Sequence, residues 1–118
     1  ILITGDIGKQ HERELVRYWR EALKAEFLVV GHHGSNTSTG ATFLKWVQPH
    51  YAIISAGFEN PFNHPSTEVL ARLEAVNTQI LNTADTGAVQ FEWSDTTALR
   101  TLISRRDWAR FWQRNYSD

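Results

Sequence analysis

Two adjacent imidazoles set between glycines, Gly31-His32-His33-Gly34, follow the apolar run Phe27-Leu28-Val29-Val30. Such a run reads as a strand, so the histidine pair is expected just past its carboxyl end, where the glycines let the chain turn into a cleft. The arrangement recurs twice. Ile1-Leu2-Ile3-Thr4 leads into Gly5-Asp6, and Tyr51-Ala52-Ile53-Ile54-Ser55 precedes a loop, Asn60-Pro61-Phe62-Asn63-His64-Pro65, that carries His64. Open α/β sheets bind ligands beyond the carboxyl ends of their strands, so the fold would gather Asp6, His32, His33 and His64. Neutral imidazole and carboxylate suit zinc, manganese or iron, and a catalytic site of this kind activates water near neutral pH. Hydrolysis is the chemistry such a set would perform. Each residue also has a plainer use: Asp6 as a helix cap, one histidine bonded to the backbone, His64 as a turn residue before Pro65.

Bringing these strand ends together requires parallel strands joined by helices, and the hydrophobic periodicity supplies them. Leu15, Val16, Trp19, Ala22 and Leu23 recur at helical spacing across Gln10 to Lys24, with Glu12 and Glu14 in the first turn, where the helix dipole favours acids. With Ile1 to Thr4 before it and Phe27 to Val30 after it, this is a βαβ unit. Thr39 is the expected N-cap of a short helix through Phe43, Leu44 and Val47, ended by Pro49. Tyr51 to Ala56 returns as a strand. Pro65 and Ser66 open a helix with Val69, Leu70, Leu73 and Val76 on one face and Asn77 as its stop; Gln79 to Thr83 is the next strand. Asp85-Thr86-Gly87 marks a turn, and Ala88 to Trp93 with Thr97 to Ile103 reads as a hairpin around Ser94-Asp95-Thr96. In the tail, Asp107 to Tyr116, Trp108, Phe111 and Trp112 share one helical face, as an end helix or lid would. The expected class is α/β, a mixed sheet flanked by helices with a C-terminal β-hairpin, in a single domain over residues 1–118.

Composition narrows the function classes. A formal charge of −1 gives no net electrostatic steering toward nucleic acid. The absence of cysteine removes disulfides, thiolate metal sites and cysteine nucleophiles, so any metal here takes N and O ligands. No apolar run approaches the ~20 residues that span a bilayer. The chain starts without Met inside a run that reads as a buried strand, so we expect it to begin within a longer protein. Next to the histidine pair, Ser35, Asn36, Thr37 and Ser38 offer hydroxyl and amide groups, and the helix after Thr39 would aim its amino end at the same region, as phosphate handling requires. Ser35, Asn36 and Ser38, with Asn63 in the His64 loop, are the candidate substrate contacts, although such clusters also make ordinary loops. Arg105, Arg106, Arg110 and Arg114 form the cationic cluster. Its role would be phosphate contact or a solvated face.

Leu2-Ile3-Thr4-Gly5-Asp6, Val30 to Ser38, Ala52 to Gly57, Asn63-His64-Pro65 with Glu68-Val69-Leu70, and Asp85-Thr86-Gly87-Ala88-Val89 stand in this order over roughly the first three quarters of the chain. Together they resemble the carboxyl-terminal, metallo-β-lactamase-like domain of ComEC-type competence proteins. The resemblance implies a partial metallo-β-lactamase-like αβ half-sandwich. It also implies attachment to a membrane channel of the same polypeptide for DNA uptake, on the outer side of the bacterial inner membrane, and nuclease action on the strand that is not imported. Asp6 matches the strand-end aspartate that bridges two metals in that fold, and His33, or its neighbour His32, the later strand-end histidine. His64 matches the His-Pro segment at the site's rim, as substrate contact or proton donor. The fold's His-x-His-x-Asp-His cluster belongs upstream of Gly5-Asp6 and is not in this sequence, so the chain is expected to hold half a site. The full domain would bind two divalent ions, zinc or manganese, and this piece alone would bind them weakly or not at all. Implied partners are DNA, the channel, the missing amino-terminal half and, through an uncovered sheet face, a second copy of the chain. Two alternatives stay open: a non-catalytic DNA-binding or assembly module, and a hydrolase of another ester on the same fold.

Overall fold

The computed structural model describes residues 1–57, 60–92 and 100–103. Four of the apolar runs become strands, β1 (Leu2–Ile3), β2 (Phe27–Val29), β3 (Tyr51–Ile54) and β4 (Gln79–Asn82), which lie side by side in chain order, every neighbouring pair parallel. Parallel neighbours need a crossover. The crossovers are α1 (Lys9–Trp19, continued by a 3-10 turn, Arg20–Leu23), α2 (Ala41–Val47) and α3 (Thr67–Ala75). A one-turn helix α4 (Thr83–Thr86) then leads to β5 (Val89–Glu92), which pairs antiparallel with β6 (Arg100–Ile103).

The α/β class and the antiparallel end stand as read. The sheet is parallel rather than mixed, because β5 and β6 form a two-stranded sheet of their own. Asp85-Thr86-Gly87 is the end of α4, opened by the Asn82 side chain accepting from Ala84 N–H at 3.0 Å and closed by Gly87 at φ 71°, rather than a bare turn. The first helix stops earlier than its periodicity indicates. Arg20 turns to φ 41°, so Trp19 is 60% exposed while Leu23 in the following turn still reaches the core. Ser66 caps α3 as expected, its Oγ accepting from Val69 N–H at 3.2 Å, and Asn77 leaves that helix at φ 57°. The Ser94 to Thr96 turn, the arginine cluster and the aromatic tail lie outside the described residues.

Alternation along the strands decides where the core sits. Leu28, Val30, Ala52 and Ile54 point to one face, against Phe43, Leu44, Val47, Val69 and Leu73 from the helices, all buried. Each of these Val, Leu, Ile and Phe side chains contributes roughly 1.5–3 kcal/mol when fully buried. The opposite face carries Ile3, 66% exposed, with the half-buried Val29 and Ile53 in register beside it. At its amino end Phe27 stacks on Tyr51 (ring centroids 5.3 Å), and Phe91 of β5 packs edge-on against Phe27 at 4.9 Å. No helix among the described residues is long and apolar enough to cross a membrane.

Candidate functional site

Parallel strands in chain order place all their carboxyl ends along one edge, and the predicted site residues Asp6 and His33 meet there. His33 is the best defined of them. Its Nδ1 lies 2.7 Å from the Ser55 carbonyl oxygen at the end of β3, and a carbonyl only accepts, so Nδ1 carries the proton. In the neutral ring Nε2 is then the atom with the free lone pair. That Nε2 lies 3.9 Å from Oδ1 of Asp6 at the end of β1, with both side chains open to solvent. The gap is too long for a hydrogen bond. It is within the ~4.2 Å that two donors at ~2.1 Å from one zinc-like ion can span, and a backbone carbonyl on the other ring nitrogen is the usual orienting partner of a metal-binding histidine. Asp6 and His33 therefore fit as part of a divalent site. Two donors do not complete one, and among the described residues no group of three or more His, Cys, Asp or Glu side chains is arranged to hold a metal ion.

The histidine pair occupies a tight turn with unusual backbone. His32 (φ 48°, ψ 43°) and His33 (φ 54°, ψ 25°) are both left-handed, at roughly 1–3 kcal/mol each for residues with a Cβ. The turn is held at every corner: His32 N–H donates to Gly5 O, Ser35 N–H to His32 O, and Ser66 N–H to Gly34 O, each at 2.9 Å. Gly34 (φ 84°) has to be glycine, since a Cβ there would sit 2.5 Å from Cβ and 2.9 Å from Cα of Pro65. That contact locks the histidine turn against the His64 loop, in which the His64–Pro65 peptide is cis. His33 rather than His32 thus faces Asp6. The His32 ring turns the other way, Nδ1 at 3.2 Å from Thr37 Oγ1 and its face edge-on to His64 at 6.0 Å between centroids. His64 and His33 line one recess of about 230 Å³.

The polar loop after the pair is more inward than its composition indicates. Ser38 is fully buried, donating from Oγ to Gly31 O at 2.9 Å, and the Ser35 hydroxyl is bonded to Thr37 Oγ1 at 2.9 Å. Asn36 is exposed, its Oδ1 accepting from Arg72 Nη1 at 2.9 Å; Asn63 is exposed at φ 54°. The amino end of α2 does not face outward for an anion. Glu12, 2% exposed, places its two oxygens on Thr39 N–H (2.6 Å) and Gly40 N–H (2.9 Å), so the expected Thr39 cap is replaced by a carboxylate from α1.

Four residues to which the motif reading gives no role surround these groups. Glu12 shares a helix face with Leu15 and Val16, three and four positions on, and that spacing is the signal that it turns inward. Arg72 donates to Thr39 O at 2.8 Å and Ser38 O at 3.1 Å as well as to Asn36, tying α3 to the polar loop. Asn60 closes the His64 loop, Nδ2 donating to Gly57 O (3.0 Å) and His64 O (2.6 Å) and Oδ1 accepting from His64 N–H (2.9 Å). Phe62 stands beside His64 with its ring 75% exposed.

No protein-family model and no solved structure matches the chain. Competence protein ComA of Neisseria gonorrhoeae is 42% identical over 91 residues, 77% of this chain and 13% of that protein. ComE operon protein 3 of Bacillus subtilis is 39% identical over 94 residues, 80% of this chain and 12% of its own. Recombination protein 2 of Haemophilus influenzae is 40% identical over 90 residues, 76% and 11% respectively. The chain is thus related, over most of its length, to one segment of larger proteins named for competence and recombination, and it spans about an eighth of their length.

Proposed function

We propose that this chain serves DNA uptake in natural competence, as the hydrolytic domain of a membrane-attached protein on the outer side of the membrane, cleaving phosphodiester bonds of the strand that is not imported. The names of two relatives support the competence setting. The hydrolytic part rests on one observation: the Ser55 carbonyl fixes His33 with its free Nε2 toward Asp6. On this reading the fold is half of a metallo-β-lactamase-like sandwich. Its other half packs on the sheet face of Ile3, Val29 and Ile53, and without it two copies would cover that face mutually.

Asp6 and His33 would hold divalent metal, with His32 beside them and the remaining ligands from the other half. Two zinc or manganese ions held there would supply Lewis acidity toward a phosphoryl oxygen and toward water. The water oxygen bonds to phosphorus as one P–O ester bond breaks; the water proton passes to Asp6, and His64 protonates the leaving oxygen. Asn36 and Asn63, both exposed, would contact the phosphate, while Ser35 and Ser38 hold the loop in shape.

The test is a substrate panel with the full protein carrying this chain and added Mn²⁺ or Zn²⁺: DNA, a bis-aryl phosphodiester, a lactone and a thioester. Cleavage of the two phosphodiesters is expected. Turnover of the lactone or thioester alone would move the reading to another ester, and DNA binding without hydrolysis of any of them would make the domain a binding module.

A further inference from the structure

Phe62 holds a large apolar ring in water from a loop that is otherwise pinned, by the Asn60 side-chain bonds and by Asn63 N–H donating to Asn60 O at 3.3 Å. Isolated exposed apolar residues are ordinary, but this ring is not isolated. It lies 5.8 Å from the His64 ring at an interplanar angle of 29°, and His64 lies 6.0 Å from His32. A row of three rings therefore runs from solvent to the histidine turn. Phe62 also walls the 230 Å³ recess, together with His33, Ala56, Gly57, Asn60 and His64. This recess is smaller than the ~300–1,000 Å³ of sites for drug-sized ligands, so it takes one planar ring system. The exposed area of one phenyl ring beside it is too little for a protein partner, which needs roughly 800 Å² a side.

We propose that Phe62 is a stacking platform for one nucleobase of single-stranded DNA, seating the base in the recess so that its phosphate lies toward Asp6 and His33. Aromatic faces accept any base, whereas a base inside a duplex is stacked on its neighbours and reaches such a platform only when extruded. The site therefore selects single strands and frayed ends. This rests on DNA being the substrate, as argued above, and adds which form of it is engaged.

The experiment measures binding rather than cleavage. The full protein carrying this chain, in excess EDTA, is titrated into a short labelled thymidine oligonucleotide and, separately, a blunt duplex of equal length. Phe62→Ala is expected to weaken single-strand affinity about 5- to 150-fold, which is what ~1–3 kcal/mol of stacking per base amounts to, with duplex affinity within twofold. Phe62→Trp is expected to keep the affinity and to show indole quenching as the oligonucleotide binds. Unchanged circular dichroism would show that both variants fold. Single-strand affinity within twofold in Phe62→Ala, or equal loss for the duplex, overturns the platform, as does loss of subunit or domain assembly with DNA binding intact. A protein that binds neither form overturns both this inference and the DNA reading. Phe62-dependent binding in a protein that hydrolyses nothing retires only the hydrolytic reading.

Discussion

Glu12 is the residue whose removal should be felt furthest from its own helix. Its carboxylate is buried and takes the two backbone donors at the start of α2, Thr39 N–H and Gly40 N–H. Bonds to an ionised acceptor contribute ~1.5–3 kcal/mol each. Glu12→Ala removes both and leaves the donors facing a void, while the desolvation the carboxylate no longer undergoes offsets part of the loss; the net local effect is about 3 kcal/mol. Glu12→Gln preserves shape but can present an acceptor to only one donor, so about half that is lost. Hydrogen exchange of the α2 amides reads this directly, because each ~1.4 kcal/mol is tenfold in an opening equilibrium. Exchange should quicken about a hundredfold in Glu12→Ala and about tenfold in Glu12→Gln. Rates within threefold of wild type in both would refute the claim that Glu12 organises this loop.

Gly34→Ala combines a left-handed Cβ residue, at ~1–2 kcal/mol, with a contact to Pro65 that the backbone can relieve only by parting the two loops; a fall in melting temperature of about 10 °C is expected in thermal unfolding. Asn60→Ala frees the His64 loop, so limited proteolysis should cut that loop faster, and single-strand affinity should drop several-fold as the Phe62 platform loses its seat.

Much of the architecture could be read from the chain because the strands are short apolar runs closed by glycine or polar residues and the helices between them keep a clean apolar stripe. The placement of Asp6 and His33 at strand tips was legible for the same reason. Which of His32 and His33 faces Asp6 was not, since it depends on left-handed backbone and on the Ser55 carbonyl, 22 residues on. Glu12, Arg72 and Asn60 act mainly through backbone atoms: those of Glu12 and Arg72 lie 27 to 34 positions away, while Asn60 bonds within its own loop. An acid in a helix's first turn looks like a partner for the dipole until the loop that it caps is in place. The parallel sheet was misread as mixed because alternation reveals a hairpin but not whether it joins the main sheet.

On the proposed reading Asp6 and His33 hold metal for phosphodiester cleavage. Its most direct measurement is metal content and DNA cleavage, taken together on the full protein and on its Asp6→Ala and His33→Ala variants, with circular dichroism to show that they fold. Metal and cleavage are expected to fall together in both variants while DNA binding persists. Cleavage that survives in the variants, or metal content that does not change, would contradict it.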